Sequence, residues 1–345
     1  MRSIISAIIL LTLFLLGASG EAGATFHDGS ASACEGCHTA EMALKGADPS
    51  STCLGCHAST YRVLTADGSA YTPAGDFYWL TSTFATPDPV GRGERHGHNV
   101  LAAGFGLVAD TTLRSGPSDG SVTYQSAWLQ CTSCHDPHTT ALKNYRLLGG
   151  AGYRGGSLAA GFSFANPAPE ALPCLGQPEG NLQAETDHDH PDYGSGMSEW
   201  CINCHSGFNG AHTHPAGNDS RLGTLAAIYK TYRGTGNLGA GTASSYDFLV
   251  PFERGKGSLG QLRCARTDGP STESTVMCLS CHRAHASAFS GIGRWDFGVP
   301  LLSFSAVLRS PDANHAYYGE NILHRYGPSQ QTLCNKCHGK DAGIR

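Results

Sequence analysis

The segment Cys131-Thr-Ser-Cys-His-Asp-Pro-His138 contains the pattern that decides the fold of this chain. A cysteine pair is followed directly by one histidine and, three residues later, by another. The pattern C-x-x-C-H occurs six times in the 345 residues, where chance would give about 0.03 copies. The six copies are Cys34/Cys37/His38, Cys53/Cys56/His57, Cys131/Cys134/His135, Cys201/Cys204/His205, Cys278/Cys281/His282 and Cys334/Cys337/His338.

The spacing of this motif suits one cofactor. Residues i, i+3 and i+4 share one face of a helical turn, so two thiols can bond to one porphyrin while the imidazole reaches its iron. Structural zinc also uses Cys and His ligands, but it does not require a histidine directly after every cysteine pair. Six disulfides would also leave the histidines unexplained. The motifs therefore predict six covalently attached c-type haems, each with the motif histidine as proximal ligand.

The second axial ligand of each iron is predicted from the remaining histidines. Beyond the apolar start of the chain only Met42, Met197 and Met277 remain, too few for six His/Met irons, whereas eleven histidines are left. This composition favours bis-histidine irons, which transfer electrons rather than bind substrates. His138 and His285 each follow a proximal histidine by three residues, so each is expected to reach the iron of a neighbouring haem. No residue is predicted to be catalytic.

The first 24 residues have the features of a signal peptide. A short basic start precedes an apolar run over Ile4–Leu16, and Ala22-Gly-Ala24 resembles a cleavage site. We expect residues 25–345 to form a single hexahaem unit that passes through the periplasm and is secreted to the cell surface or medium. No other segment approaches the length of a membrane span.

Composition supports a coil-rich fold. Charged residues make up 15% of the chain, there are 45 glycines, and the net charge is −5, which does not favour nucleic acid as a partner. We predict mostly coil with short helices and little sheet, wrapped around a chain of stacked haems. Leu222–Arg233 is a candidate helix, and the segments Leu148–Ala160 and Gly234–Ser245 are expected to be loops.

Two cysteines lie outside the motifs. Cys174 and Cys264 are predicted to form a disulfide between distant loops, since an exported protein matures in an oxidising compartment. The alternative is a pair of free thiols.

Several segments beyond the motifs resemble the OmcS-type outer-surface hexahaem cytochromes, which metal-reducing bacteria assemble into extracellular filaments. The resemblance covers most of the chain after the signal peptide. Its segments are Phe26-His27, Ala33–Thr39, Gly93–Asn99, Ala109–Leu113, Cys131–His138, Tyr145–Gly150, Gly196–Trp200, His214–Asn218, Cys278–Ser287 and Leu333–Lys340.

The resemblance implies a head-to-tail polymer with a continuous chain of bis-histidine haems. It also implies a set of distal ligands: His27, His98, His138, His214 and His285. In that family a histidine three residues after the first proximal histidine ligates a haem of the next protomer, but Glu41 occupies this position here. The sixth distal ligand therefore stays open. His190, His212, His315 and His324 are candidates, with His212 and His324 favoured because they lie near haem motifs.

Three functions are compatible with these features. The leading one is an extracellular conduit that receives electrons from periplasmic or outer-membrane cytochromes and delivers them to acceptors such as metal oxides. A monomeric periplasmic carrier would use the same haems without any interface ligand. A multihaem reductase would need an open iron, which the change at Glu41 could provide.

Overall fold

The computed structural model describes residues 27, 31–58, 62–84, 93–111, 115–116, 123–139, 144–174, 184–209, 214–232, 245–256, 259–309 and 312–338. The predicted signal peptide, His212 and the loop 234–244 lie outside the described residues. Within these ranges the backbone is mostly coil joined by short helices, which confirms the predicted fold class.

Every α-helix in the part of the chain that the structure describes is shorter than ten residues. In the described ranges they are α1 (Ala31–Cys37), α2 (Pro49–His57), α3 (Tyr78–Thr81), α4 (Met197–Cys201), α5 (Leu225–Thr231), α6 (Cys278–Cys281), α7 (Ala313–Ala316), α8 (Ile322–Tyr326) and α9 (Gln331–His338). Single 3₁₀ turns lie between them, including Glu94–His96, Ala103–Phe105, Ser126–Trp128, Cys131–Ser133, Tyr145–Leu147, Gly155–Ser157, Ser206–Asn209, Leu259–Gln261, Ser290–Ile292, Leu302–Phe304 and Val307–Arg309.

Each C-x-x-C-H motif lies on or next to one of these turns. Helix α2 shows why: Asp48 is the N-cap, its Oδ1 accepts a hydrogen bond from the Ser51 amide at 2.7 Å, and Pro49 occupies the first turn. Only about one further turn is needed to bring Cys53, Cys56 and His57 onto one face. A long helix is unnecessary for attachment, so short capped turns are sufficient.

Sheet structure is confined to two small hairpin-like pairs in the described residues. Strand β1 (Ser115–Gly116) pairs antiparallel with β2 (Tyr124–Gln125), with Ser115 opposite Gln125. Strand β3 (Glu170–Leu172) pairs antiparallel with β4 (Asp192–Ser195), with Leu172 opposite Asp192. These two strand pairs hold the ends of loops together, and they do not combine into a larger sheet.

A side-chain core is more developed than the glycine content suggests. The main cluster of buried apolar residues draws on segments from Leu54 to Leu333. Aromatic residues supply much of it, including Trp79, Tyr229, Phe248 and Tyr317. A large ring buries more apolar area than an aliphatic side chain, so relatively few residues hold the loops together.

The two cysteines outside the motifs and the helix predicted at 222–233 are both present in the described residues. Cys174 and Cys264 form a disulfide across a sequence separation of 90 residues, with Cα atoms 5.0 Å apart, so the predicted bridge is confirmed. The helix predicted at 222–233 is shorter, because Gly223 has a φ of +52° and Tyr232 is extended. Among the described residues, no helix is both long and apolar enough to cross a bilayer.

Candidate haem-binding sites

Five of the six motif histidines lie opposite a second histidine. The pairs, with the distance between ring centroids, are His27 with His57 at 6.3 Å, His38 with His138 at 6.2 Å, His98 with His205 at 5.9 Å, His135 with His285 at 6.3 Å and His214 with His338 at 5.9 Å. Every pair joins one motif histidine to one histidine from the set that the family resemblance implies. The partners come from distant parts of the chain.

These separations suit one metal between two imidazoles. Two metal–nitrogen bonds of about 2.1 Å, with about 1.1 Å from each nitrogen to its ring centre, give about 6.4 Å between centroids. They leave room for an atom between the rings, unlike the direct contact of the His190 and Tyr246 rings at 3.5 Å. The histidine pairs are therefore spaced for an intervening iron, and the donor set fits haem c.

Backbone carbonyls orient several of these rings through Nδ1. His38 Nδ1 bonds the Met42 carbonyl at 3.0 Å, His98 bonds that of Ala284 at 2.6 Å, and His135 bonds that of Arg146 at 2.9 Å. A proton held on Nδ1 leaves the lone pair of Nε2 free to bind a metal. His214 and His282 make the same kind of bond, to the carbonyls of Pro215 and Gly291.

Burial lowers the pKa of some of the paired imidazoles and so favours the neutral form, which is the form that binds metals. Desolvation, with a smaller contribution from His27, lowers the pKa of His57 to about 4. Desolvation and the neighbouring His205 lower the pKa of His98 to about 4. Desolvation and His135 lower that of His285 to about 3. These histidines are uncharged at neutral pH without a metal, so haem binding does not have to displace a proton.

The six motifs follow one another in space in the order of the sequence. Burial raises the pKa of Cys37, and the nearby thiols of Cys53 and Cys56 raise it further. Because these thiols must be close to act on Cys37, motif 1 lies beside motif 2. In the same way Cys53 interacts with Cys131, Cys134 with Cys204, Cys201 with Cys278, and Cys281 with Cys334 and Cys337. Cofactors attached to consecutive motifs would therefore lie next to one another.

Two serines join neighbouring motifs by equivalent contacts. Ser50 Oγ accepts a hydrogen bond from the Cys131 amide at 3.0 Å, and Ser198 Oγ accepts one from the Cys278 amide at 3.0 Å. Each serine lies three residues before the first cysteine of its own motif. Motifs 2 and 3, and motifs 4 and 5, are thus held together in the same way. Sequence reasoning missed these serines, because an isolated serine before a motif carries no distinctive signal.

His282 is the motif histidine without a histidine opposite it in the described part of the chain. The ring at a comparable distance is that of Phe297, with centroids 6.1 Å apart and planes inclined by 43°. A phenyl ring cannot ligate iron. The structure therefore provides five complete histidine pairs and one proximal histidine that needs a partner.

The remaining histidines differ in their suitability as the distal ligand opposite His282. Each ring nitrogen of His190 lies within hydrogen-bond distance of a backbone carbonyl, that of Pro191 at 2.8 Å and that of Arg266 at 2.9 Å, so neither nitrogen faces space for a metal. His315 Nδ1 bonds the Tyr71 hydroxyl at 2.8 Å. His324 is exposed on α8 and faces no motif histidine among the described residues, while the other favoured candidate, His212, cannot be placed.

Buried charge is concentrated around motif 5. The side chains of Arg283, Arg294 and Glu185 are almost fully buried, and Glu185 Oε2 accepts from Arg283 at 2.5 Å and lies 3.5 Å from Arg294 Nη1. Arg294 Nε also donates to the carbonyls of Leu279 and His282. Two guanidinium groups thus face one carboxylate, which leaves an excess of positive charge beside this motif. Sequence reasoning did not identify this cluster.

Comparison with known proteins gives a consistent result. No family model matches the chain. The chain is 35% identical to the C-type cytochrome OmcS of Geobacter sulfurreducens, over 94% of this chain and 96% of that protein. Two solved structures of outer membrane cytochrome S from the same organism, described as a filament and as nanowires, cover 89% of this chain and 98% of theirs. They match with TM-scores of 0.66 and 0.67 at 31% and 32% identity.

Proposed function

This chain belongs to the OmcS family of c-type cytochromes, and we propose that it carries six covalent haems and polymerises head to tail into an extracellular, electron-conducting filament. As a c-type cytochrome it is an electron-transfer protein. The single observation that carries the proposal is the set of five histidine pairs at 5.9–6.3 Å, arranged along motifs that follow one another in space.

The proposed roles of individual residues follow from this geometry. The twelve motif cysteines would hold the cofactors by thioether bonds, and His38, His57, His135, His205, His282 and His338 would be the proximal ligands. His138, His27, His285, His98 and His214 would be the distal ligands of the first, second, third, fourth and sixth sites respectively. When bound, haem supplies reversible one-electron chemistry.

The protein's own residues would position the histidine rings and bury them away from water. Carbonyl acceptors on Nδ1 would fix the orientation of rings such as His98 and His135, and burial favours the neutral form of His57, His98 and His285. Two strong axial ligands leave no coordination position for a substrate, which supports electron transfer without substrate turnover at these five sites. His138 and His285 each follow one motif and face the proximal histidine of another, so each would tie two sites together.

Polymerisation is supported by the linear order of the motifs and by the two filament structures that the chain resembles. A linear array exposes a different surface at each end, and contact between unlike ends does not close on itself unless the rotation forms a ring. We further infer secretion through the periplasm, loading by other cytochromes, and delivery of electrons to extracellular acceptors such as metal oxides.

Cryo-electron microscopy of the purified, haem-loaded protein tests this proposal. Filaments with a continuous haem line across protomers are expected. Discrete particles under all assembly conditions would contradict polymerisation.

A monomeric carrier is the second candidate, because His282 has no histidine opposite it among the described residues and Glu41 replaces the family's interface ligand. Sedimentation velocity over a range of concentrations separates the two. A single species with the mass of one chain would favour the carrier.

A further inference from the structure

Two of the five histidine pairs follow one rule. His138, three residues after the proximal histidine of motif 3, lies opposite His38 of motif 1. His285, three residues after the proximal histidine of motif 5, lies opposite His135 of motif 3. In both cases the histidine at this position faces the proximal histidine two motifs earlier in the chain.

Among the described residues, motif 5 has no partner that follows this rule. Its partner would follow a seventh motif, and the chain has six. In a head-to-tail polymer, which the proposed function assumes, the seventh motif is motif 1 of the next copy. The missing ligand is therefore expected on the turn that follows His38.

That turn presents two candidate ligands. Glu41 holds the position three residues after His38, and Met42 is next to it. Met42 is 67% exposed, the highest value among the large apolar side chains that are exposed in the described residues. Its φ of +61° lies in the left-handed region, which is uncommon for a residue with a side chain and often marks a functional position.

The backbone of this turn is firmly held. The Met42 amide donates to the Thr39 carbonyl at 3.0 Å, the Thr39 amide donates to the Ala43 carbonyl at 2.8 Å, and His38 Nδ1 bonds the Met42 carbonyl at 3.0 Å. Met42 is thus fixed to the proximal ligand of the first site. A thioether on this turn would hold two irons of different copies at a constant separation.

The receiving surface at motif 5 is open and apolar. Phe297, whose ring faces His282, is 43% exposed, and Leu301 and Phe304 on the same segment are 36% and 57% exposed. These exposed apolar side chains offer contact to the side chain of a methionine. Thioether sulfur is also an established axial ligand of haem iron in cytochromes c.

We propose that the iron at His282 is completed by the thioether of Met42 from a neighbouring copy, which gives one His/Met iron per chain at each junction. The inference rests on the proposed filament and deepens it by naming the group that joins two copies. A methionine ligand raises the reduction potential relative to bis-histidine ligation. The junction iron would then differ from the other five.

Near-infrared magnetic circular dichroism of oxidised filaments is the direct test, because His/Met and bis-histidine irons give charge-transfer bands at different energies. Wild-type filaments are expected to show a His/Met band beside a larger bis-histidine signal. Dissociating the filaments should abolish the His/Met band and produce a high-spin iron, because the sulfur belongs to another copy.

Variants on the same turn identify the ligand. Met42→Leu keeps the apolar contact without sulfur and should lose the His/Met band. Met42→His should replace that band by additional bis-histidine signal. Leu44→Ala, which removes another exposed apolar side chain of this turn, and Glu41→Gln are the controls and should retain the band.

The outcomes distinguish this inference from the proposed function. Wild-type filaments without a His/Met band, or a band that survives in Met42→Leu, would overturn the methionine ligand and leave the filament intact. A high-spin signal in wild-type filaments that changes in Glu41→Gln would assign the carboxylate instead and overturn the inference. Failure to form filaments at all would overturn both.

Discussion

His285 lies opposite His135, with ring centroids 6.3 Å apart, although the two residues belong to motifs separated by about half of the chain. His285 follows His282 by three residues, so one short segment carries the proximal ligand of one site and a distal ligand of another. A change in this segment therefore has consequences at two separate sites.

Replacing His285 by alanine should free one iron without detaching any haem. The iron at His135 would lose its distal imidazole and become high-spin, while the cysteines of motif 5 would still hold their cofactor. Carbon monoxide binding by the reduced protein should increase by one equivalent per chain, measured by optical titration.

His315→Ala is the matched control, because the His315 ring bonds Tyr71 and faces no motif histidine. Unchanged carbon monoxide binding in His285→Ala would show that this histidine is not an axial ligand.

Removing the disulfide should lower stability without changing the haem content. The bridge between Cys174 and Cys264 closes a loop of 90 residues, and loss of such a constraint costs about 2–5 kcal/mol. The free energy of unfolding of the Cys174→Ala/Cys264→Ala variant, measured by denaturant titration, should fall by this amount. Intact mass spectrometry should still show six haems. Equal unfolding midpoints for the variant and the wild type would contradict the stabilising role.

Glu253 should make stability depend on pH. The carboxyl is buried, and its oxygens accept hydrogen bonds from the Met197 amide at 2.7 Å and the Thr275 hydroxyl at 3.2 Å. Burial, with a smaller contribution from Glu199, raises its pKa to about 7. Because the folded state holds its proton more tightly than the unfolded state does, this group destabilises the fold as pH rises from about 4.5 to 7.

The size of this pH dependence follows from how far the pKa of Glu253 is raised. Between pH 5 and pH 8 the wild type should lose about 2–3 kcal/mol more unfolding free energy than Glu253→Gln, which cannot titrate. Glu273→Gln is the control, since Glu273 lies in an exposed ion pair with Arg221. Parallel pH profiles for the wild type and Glu253→Gln would contradict this account.

Arg294 should raise the reduction potential of the site at His282. Its guanidinium is buried, donates to the His282 carbonyl at 3.2 Å and shares a single carboxylate with Arg283. A unit charge about 10 Å from an iron, at an effective dielectric constant of about 20, favours the reduced state by roughly 1–2 kcal/mol.

Spectroelectrochemistry of Arg294→Met should therefore show one component shifted to lower potential by tens of millivolts. Arg294→Lys retains the charge and should shift it less. A potential that is the same in Arg294→Met and in the wild type would show that the buried charge does not act on this site.

The attachment sites and the fold class could be predicted from sequence, because covalent haem attachment requires a fixed local spacing that survives any arrangement of the loops. The pairing of His98 with His205, or of His214 with His338, has no such local signal. It depends on how loops of more than a hundred residues return to the core. Only His138 and His285 could be predicted from spacing to serve a site other than their own, since they directly follow a motif; the structure pairs each with the proximal histidine two motifs earlier.

Other features depend on tertiary contacts that sequence does not display. The helix predicted from Leu222 begins at Leu225, because a glycine with positive φ precedes it. His190 was a candidate ligand by residue type, yet two carbonyls occupy its ring nitrogens. The buried arginines at motif 5 were not predicted, because nothing in the sequence shows which charges are removed from water.

The most direct test of the central claim is a structure of the haem-loaded protein at a resolution that shows each iron and its axial ligands. We predict an iron between the members of every pair: His27 and His57, His38 and His138, His98 and His205, His135 and His285, and His214 and His338. A structure in which any of these pairs holds no iron, or in which another side chain replaces one of these ten histidines, would contradict it.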